Sequence, residues 1–254
     1  VLEGESQNAE THYENAVRLA PDFLEGRFAF GNYYTATGEN EAAIIQYQAA
    51  IDSNQDYHPA HFSLGTLLLD IDRPNEAEPH FREVVRLDES NADAYYYLGN
   101  IQYVRERFGW AQIQYELALA WEPEHVNAEY GFGKASQELG ELDEALGRYE
   151  RVIKLAPRFP DAYFSRGSVR SLRQEYEDAV RDYGTATSIG EQVILQTEAR
   201  IRAASARSSL IAQTERRRLE EYKIHLEELM SYTRQNRTAV ETYLRELERY
   251  RQGL

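Results

Sequence analysis

Apolar and small side chains return along this chain every 34 positions. Glycine stands at Gly31, Gly65, Gly99, Gly133 and Gly167. Alanine stands at Ala9, Ala43, Ala77, Ala111, Ala145 and Ala179. Four residues after each alanine comes an aromatic (Tyr13, Tyr47, Phe81, Tyr115, Tyr149, Tyr183), and three further on a small or β-branched residue (Ala16, Ala50, Val84, Ala118, Val152, Ala186). The 4-3 spacing puts these side chains on one helical face and predicts two helices per repeat, the glycine in the first and the alanine-aromatic stripe in the second. No repeat carries an insertion or deletion. A fixed period of this length is the signature of a solenoid, in which each unit buries its apolar face against its neighbours.

The pairs Leu64-Gly65, Leu98-Gly99 and Phe132-Gly133, followed by Ala-x-x-x-aromatic-x-x-Ala and by Pro21, Pro123 or Pro157, resemble tetratricopeptide repeats. The resemblance covers residues 1 to about 193: a partial repeat over 1–23, then full repeats over 24–57, 58–91, 92–125, 126–159 and 160–193. It implies an all-α fold, a right-handed α-solenoid of helix-turn-helix repeats, with the helices of 194–254 capping its end. Some columns depart from the pattern. The aromatic expected early in the first helix is Tyr95 and Tyr163 in two repeats but Arg27, His61 and Glu129 in others, and Gln55, Glu89 and Glu191 replace the closing proline. The repeat glycines let the two helices approach without an intervening Cβ. Gly38 and Gly140, with Gly4 in the same column, fall where a first helix ends in a left-handed cap.

The phase sets Val1 to Gly4 late in a first helix, which predicts a chain that continues upstream; the alternative is a first helix that has decayed, leaving a lone capping helix at the start. After about Gly190 the 34-residue pattern stops. Ser188-x-x-Glu191 has the form of a capping box opening a new helix, with Ala199, Ala203, Ala206 and Leu210 as a lid over the last repeat. A 3-4 stripe then runs Leu219, Tyr222, Leu226, Leu229, Thr233, Asn236, Val240, Tyr243, Leu247, Tyr250, Leu254. Two arrangements fit it. One is a long coiled-coil helix, with Asn236 in the core of a homodimer. The other is a hairpin that breaks near Asn236, where Thr238-x-x-Glu241 forms a second capping box, and folds back on the repeats.

Charge narrows the partner. The net charge is −15. Residues 1–193 carry 34 acidic and 16 basic side chains, whereas 194–254 carry 9 and 12. An acidic array repels phosphate, which argues against nucleic acid and for a basic protein partner. No apolar run is long enough to cross a membrane. Cysteine is absent, so disulfides and thiol chemistry are excluded. Arginine far outnumbers lysine (Lys134, Lys154, Lys223), as in a G- and C-rich bacterial genome. Compartment stays open between bacterial cytoplasm and periplasm or cell envelope.

In tetratricopeptide proteins the first helices line a concave groove that takes a peptide or helix of another protein. The resemblance carries over an inward aromatic ladder, Phe28, Phe62, Tyr96, Tyr130 and Phe164, with Tyr103 beside it. It also places Asn32, Thr66, Asn100 and Lys134 inward, with acids at Glu25, Asp70, Asp93, Glu138 and Asp161 on the rim. The same ladder is common packing in the family. Only Lys134 is an inward cation, with Arg166 and Arg170 of undetermined direction, so a clamp for a C-terminal carboxylate is not expected. Gly131-Phe132-Gly133-Lys134 lacks the spacing of a phosphate loop. His58 and His61 have no third ligand nearby, so neither metal nor cofactor is expected. Asn236-Arg237-Thr238 fits the glycosylation acceptor pattern by accident of the seam. The leading expectation is a non-enzymatic scaffold, with Leu219, Tyr222, Leu226, Leu229, Asn236, Val240, Tyr243 and Leu247 as an oligomer seam. The other is a self-assembling or envelope-assembly subunit, since bacterial repeat proteins of similar layout serve pilus, secretion and outer-membrane machines.

Overall fold

The computed structural model describes the backbone of residues 2–205 and 210–251, and the side chains of 9–205 and 212–249. Among these residues twelve α-helices make up the fold: α1 (Leu2–Leu19), α2 (Leu24–Thr37), α3 (Asn40–Ser53), α4 (His58–Asp70), α5 (Pro74–Leu87), α6 (Ala92–Val104), α7 (Phe108–Trp121), α8 (Val126–Glu138), α9 (Leu142–Leu155), α10 (Pro160–Leu172), α11 (Tyr176–Ser205) and α12 (Leu210–Arg251). The first helices of successive pairs begin at 24, 58, 92, 126 and 160, which is the 34-residue period made visible.

The columns explain the packing. Tyr47, Phe81, Tyr115, Tyr149 and Tyr183 are buried under the glycines of their own repeats. A Cβ at Gly99 would stand 2.5 Å from the ring of Tyr115, so that crossing requires glycine. The turn between paired helices holds one left-handed residue in each repeat: Gly38, Asp72, Glu106, Gly140 and Gln174. Gly4 does not join this column. It lies inside α1, which runs unbroken from Leu2, so the expected turn at the start of the chain is not formed. The polar departures in the aromatic column are paired with the residue 19 positions on. Arg27 donates to Gln46 (2.9 Å), His61 meets His80 (3.0 Å) and Arg148 donates to Glu129 (3.1 Å). Each of these three repeats has therefore replaced the aromatic with a polar pair, although one carboxylate oxygen of Glu129 stays without a hydrogen bond.

Beyond the last repeat three expectations give way. No helix starts at the Ser188 capping box: α11, 30 residues long, runs through it unbroken. Its inward face is Gly190, Thr197 and Ala204, while Ala199 and Ala203 are exposed. Residues 206–209, Ala206 of the proposed lid among them, lie outside the described backbone, as does the side chain of Leu210. The helix that follows does not break near Asn236. Thr233 is buried and donates back to the Leu229 carbonyl (2.7 Å), which lets the polar stretch stay helical. α12 folds back antiparallel on α11. Lys223 pairs with Glu198 (2.6 Å), Arg234 with Glu191 (2.7 Å), and Tyr243 packs edge-on against Tyr176 (4.9 Å).

The stripe on α12 is thus covered by its own chain. Leu219, Leu226, Leu229, Met230 and Val240 are buried, with Leu226 fully so, and Asn236 and Leu247 are half-buried. Tyr222 and Tyr243 keep 42% and 44% exposure. Tyr250 and Leu254 lie outside the described side chains. Heptads on both helices make the pairing: Tyr183, Gly190, Thr197 and Ala204 on one, Leu219, Leu226, Thr233 and Val240 on the other.

Candidate functional site

The five ladder aromatics sit between groove and core. Each packs on the buried ring of its own second helix: Phe28 on Tyr47, Phe62 on Phe81, Tyr96 on Tyr115, Tyr130 on Tyr149 and Phe164 on Tyr183, with centroids 5.8–6.2 Å apart. One side of each ring is therefore committed to packing, and the rings are half-buried. The residue after each glycine is tied to the same column. Tyr47 and Tyr115 donate their hydroxyls to Asn32 and Asn100 (both 2.8 Å). With the carboxamide oxygen engaged, each asparagine has its N–H donors to offer a ligand. Thr66 donates to the Ser63 carbonyl (2.9 Å).

Lys134 is the inward cation. Its ammonium lies 4.5 Å from the centre of the Tyr103 ring. Burial pushes its pKa down, while Glu138 and Asp161 pull it up. Tyr103 also packs against Phe108. Tyr130 shares a hydrogen bond with Ser165 (3.1 Å), and burial above all, with Asp161 second, pushes its phenol up. Arg166 and Arg170 turn away from the groove. Both bind the buried carboxylate of Asp182, Arg166 through two bonds of 2.9 and 2.6 Å and Arg170 through one of 2.9 Å. His58 and His61 do not pair: His61 bonds His80, and its other ring nitrogen meets the Gln55 carbonyl (3.0 Å). No group of three potential metal ligands converges among the described residues.

What the sequence did not disclose is that α12 crosses this concave face. Thr214 donates to the carbonyl of Ala36 at the end of α2. Further along, burial pushes the pKa of Asp70 on α4 up, with Arg218 of α12 drawing it down in part and Glu221 adding to the rise. Then His225 reaches Asp161 at the start of α10 (3.0 Å). Two of the rim acids named from the resemblance, Asp70 and Asp161, thus face side chains of this helix. Between strap and groove floor lies a cavity of about 530 Å³. Its floor includes Asn32, Thr35, Tyr47 and Thr66, and its roof Arg200, Thr214, Glu215 and Arg218. The roof residues carried no signal in the 34-residue pattern, because they lie outside it.

Family models of tetratricopeptide repeats match residues 3–58 and 62–121, and a model described as TPR repeat matches 133–171. No curated protein sequence is recognisably similar to the chain. Among solved structures, MamA is 26% identical over 66% of this chain and 92% of its own, with a TM-score of 0.61. YrrB, described as a TPR protein with an unusual peptide-binding site, is 22% identical over 70% and 91%, with a TM-score of 0.60. PilF of Pseudomonas aeruginosa is 19% identical over 85% and 96%, also at 0.60. These last two likenesses speak for the fold.

Proposed function

The chain belongs to the tetratricopeptide-repeat family, and on that premise we propose that it is a non-enzymatic scaffold whose concave groove receives a helix or extended peptide of another protein. The observation that carries this reading is the position of α12. A helix already lies along the inward face, held by the Ala36 carbonyl and Asp161. The face therefore has the width and the polar partners for a helical ligand. Its acidic rim favours a basic one. The asparagine donors at Asn32 and Asn100 suit a peptide backbone, and the peptide-binding site named for YrrB supports the same class of ligand.

Site-specific photo-crosslinking in the source cells tests this. A crosslinker at Thr66 or Lys134 should capture a discrete partner, and one at the exposed Leu172 should not capture it. Adducts from Thr66 that map only to residues 210–251 of the same chain would mean that the groove serves its own helix.

A further inference from the structure

The second helix of the third full repeat carries an exposed apolar ridge. On α7, Trp110, Ile113, Leu117 and Trp121 are 62%, 45%, 39% and 51% exposed. Their 3-4-4 spacing makes one straight row along the helix. The other repeats are an internal control for what that face requires. Where Trp110 stands they have Ala42, Glu76, Glu144 and Asp178, and where Leu117 stands they have Ala49, Glu83, Arg151 and Thr185. At these two columns packing is thus satisfied by small or charged residues, whereas the Trp121 column is apolar in three other repeats (Leu87, Leu155, Ile189) and the Ile113 column in one (Ile45). The two tryptophans are the only ones in the chain, and both are on this row.

The surroundings have the form of an interface. Beside the ridge, between α5, α6 and α7, opens a cavity of about 500 Å³, with Val85, Leu98, Trp110 and Leu117 in its wall. At its charged edge Glu78 binds both Arg82 (2.6 Å) and Arg105 (2.5 Å), and Arg107 stands in the wall as well. An apolar centre with a polar rim is the anatomy of a protein-binding patch. We propose that the α7 ridge docks an amphipathic helix of another protein, with an apolar stripe of matching spacing and a basic end set against Glu122 and Glu124.

Shape and charge select that occupant. The row is about 16 Å long, the span of a three-turn helix. It offers on the order of 400 Å² of apolar surface. Two copies ridge to ridge would bring together two chains of net charge −15. Exposed Glu122 and Glu124 follow the ridge at its C-terminal end, where the helix dipole is also negative. A basic helix meets that end favourably.

The full chain is titrated with an 18-residue amphipathic leucine–lysine helix while tryptophan emission is followed. The expected result is a saturable blue shift, absent with a scrambled peptide of the same composition. Binding should weaken at least tenfold in an Ile113→Gln/Leu117→Gln variant whose circular dichroism and melting match wild type. Equal binding by the scrambled peptide or by the variant, or no shift at all, overturns the proposal. So does a concentration-dependent doubling of mass that the variant abolishes, which would make a second copy the occupant. A matching blue shift on neutral phosphatidylcholine vesicles would assign the ridge to lipid and overturn it as well.

Discussion

The side chain of Met230 lies directly over Gly190, filling the space that a Cβ would take. This contact sits midway along the α11–α12 hairpin, and Met230 is almost fully buried. Replacing Gly190 by Leu adds volume where nothing can recede without displacing Met230. The gain in helix propensity, up to about 1 kcal/mol, does not offset the overpacking. Thermal unfolding of Gly190→Leu should show a net loss of about 1–3 kcal/mol, and α12 should exchange its amide hydrogens faster than α4 or α6. An unchanged exchange pattern would mean that the hairpin closes elsewhere.

His61 and His80 share one hydrogen bond between their Nδ1 atoms (3.0 Å). His61 donates through Nε2 to the Gln55 carbonyl, and with its Nδ1 unprotonated His80 is the donor between the rings. Burial, then the charge of His61, pushes the His80 pKa down to about 4 from 6.5. A depressed pKa in the folded state means that neutral His80 contributes fully above pH 6.5. That contribution is lost as pH falls from 6.5 toward 4. Melting temperature should therefore decline over that range more in wild type than in His80→Gln. Parallel pH profiles for the two would contradict the assignment.

Glu129 is fully buried. Arg148 donates to it at 3.1 Å, and Arg151 stands 2.9 Å from its other oxygen without hydrogen-bond alignment. Arg148 also lies 3.9 Å above the centre of the Phe132 ring. Removing Arg148 takes away the one hydrogen bond to this buried charge and leaves it facing only the half-exposed Arg151. Arg148→Met should cost about 3 kcal/mol in chemical denaturation. Adding Glu129→Gln should recover part of this, and a double variant no better than the single would refute the pairing.

Glu106 adopts the left-handed conformation (φ 58°) that Gly38 and Gly140 occupy in the matching turns. A Cβ is disfavoured there by roughly 1–2 kcal/mol, and glycine gives back part of that in chain entropy. Glu106→Gly should raise stability by about 0.5–1 kcal/mol. A lower melting temperature would show that the Glu106 side chain contributes more than its backbone strain costs.

By itself the sequence determined the repeat unit. Each helix pair is local, its register is repeated five times, and the residues that pack it lie within 34 positions of one another. Gly31 and Tyr47, or Gly99 and Tyr115, can meet in only one way once both helices form. The helical paths of α2 to α10 were legible for that reason. The seam was legible only as a stripe. Hydrophobic burial has no direction, so Leu219, Leu226 and Val240 required a cover without specifying whose. Tertiary structure decided that α11 provides it, because α11 runs on past the last repeat with a matching heptad of Gly190, Thr197 and Ala204. Closing that hairpin within the chain swings Thr214, Arg218 and His225 against α2, α4 and α10. Those contacts join residues more than 60 positions apart, which no spacing rule reaches.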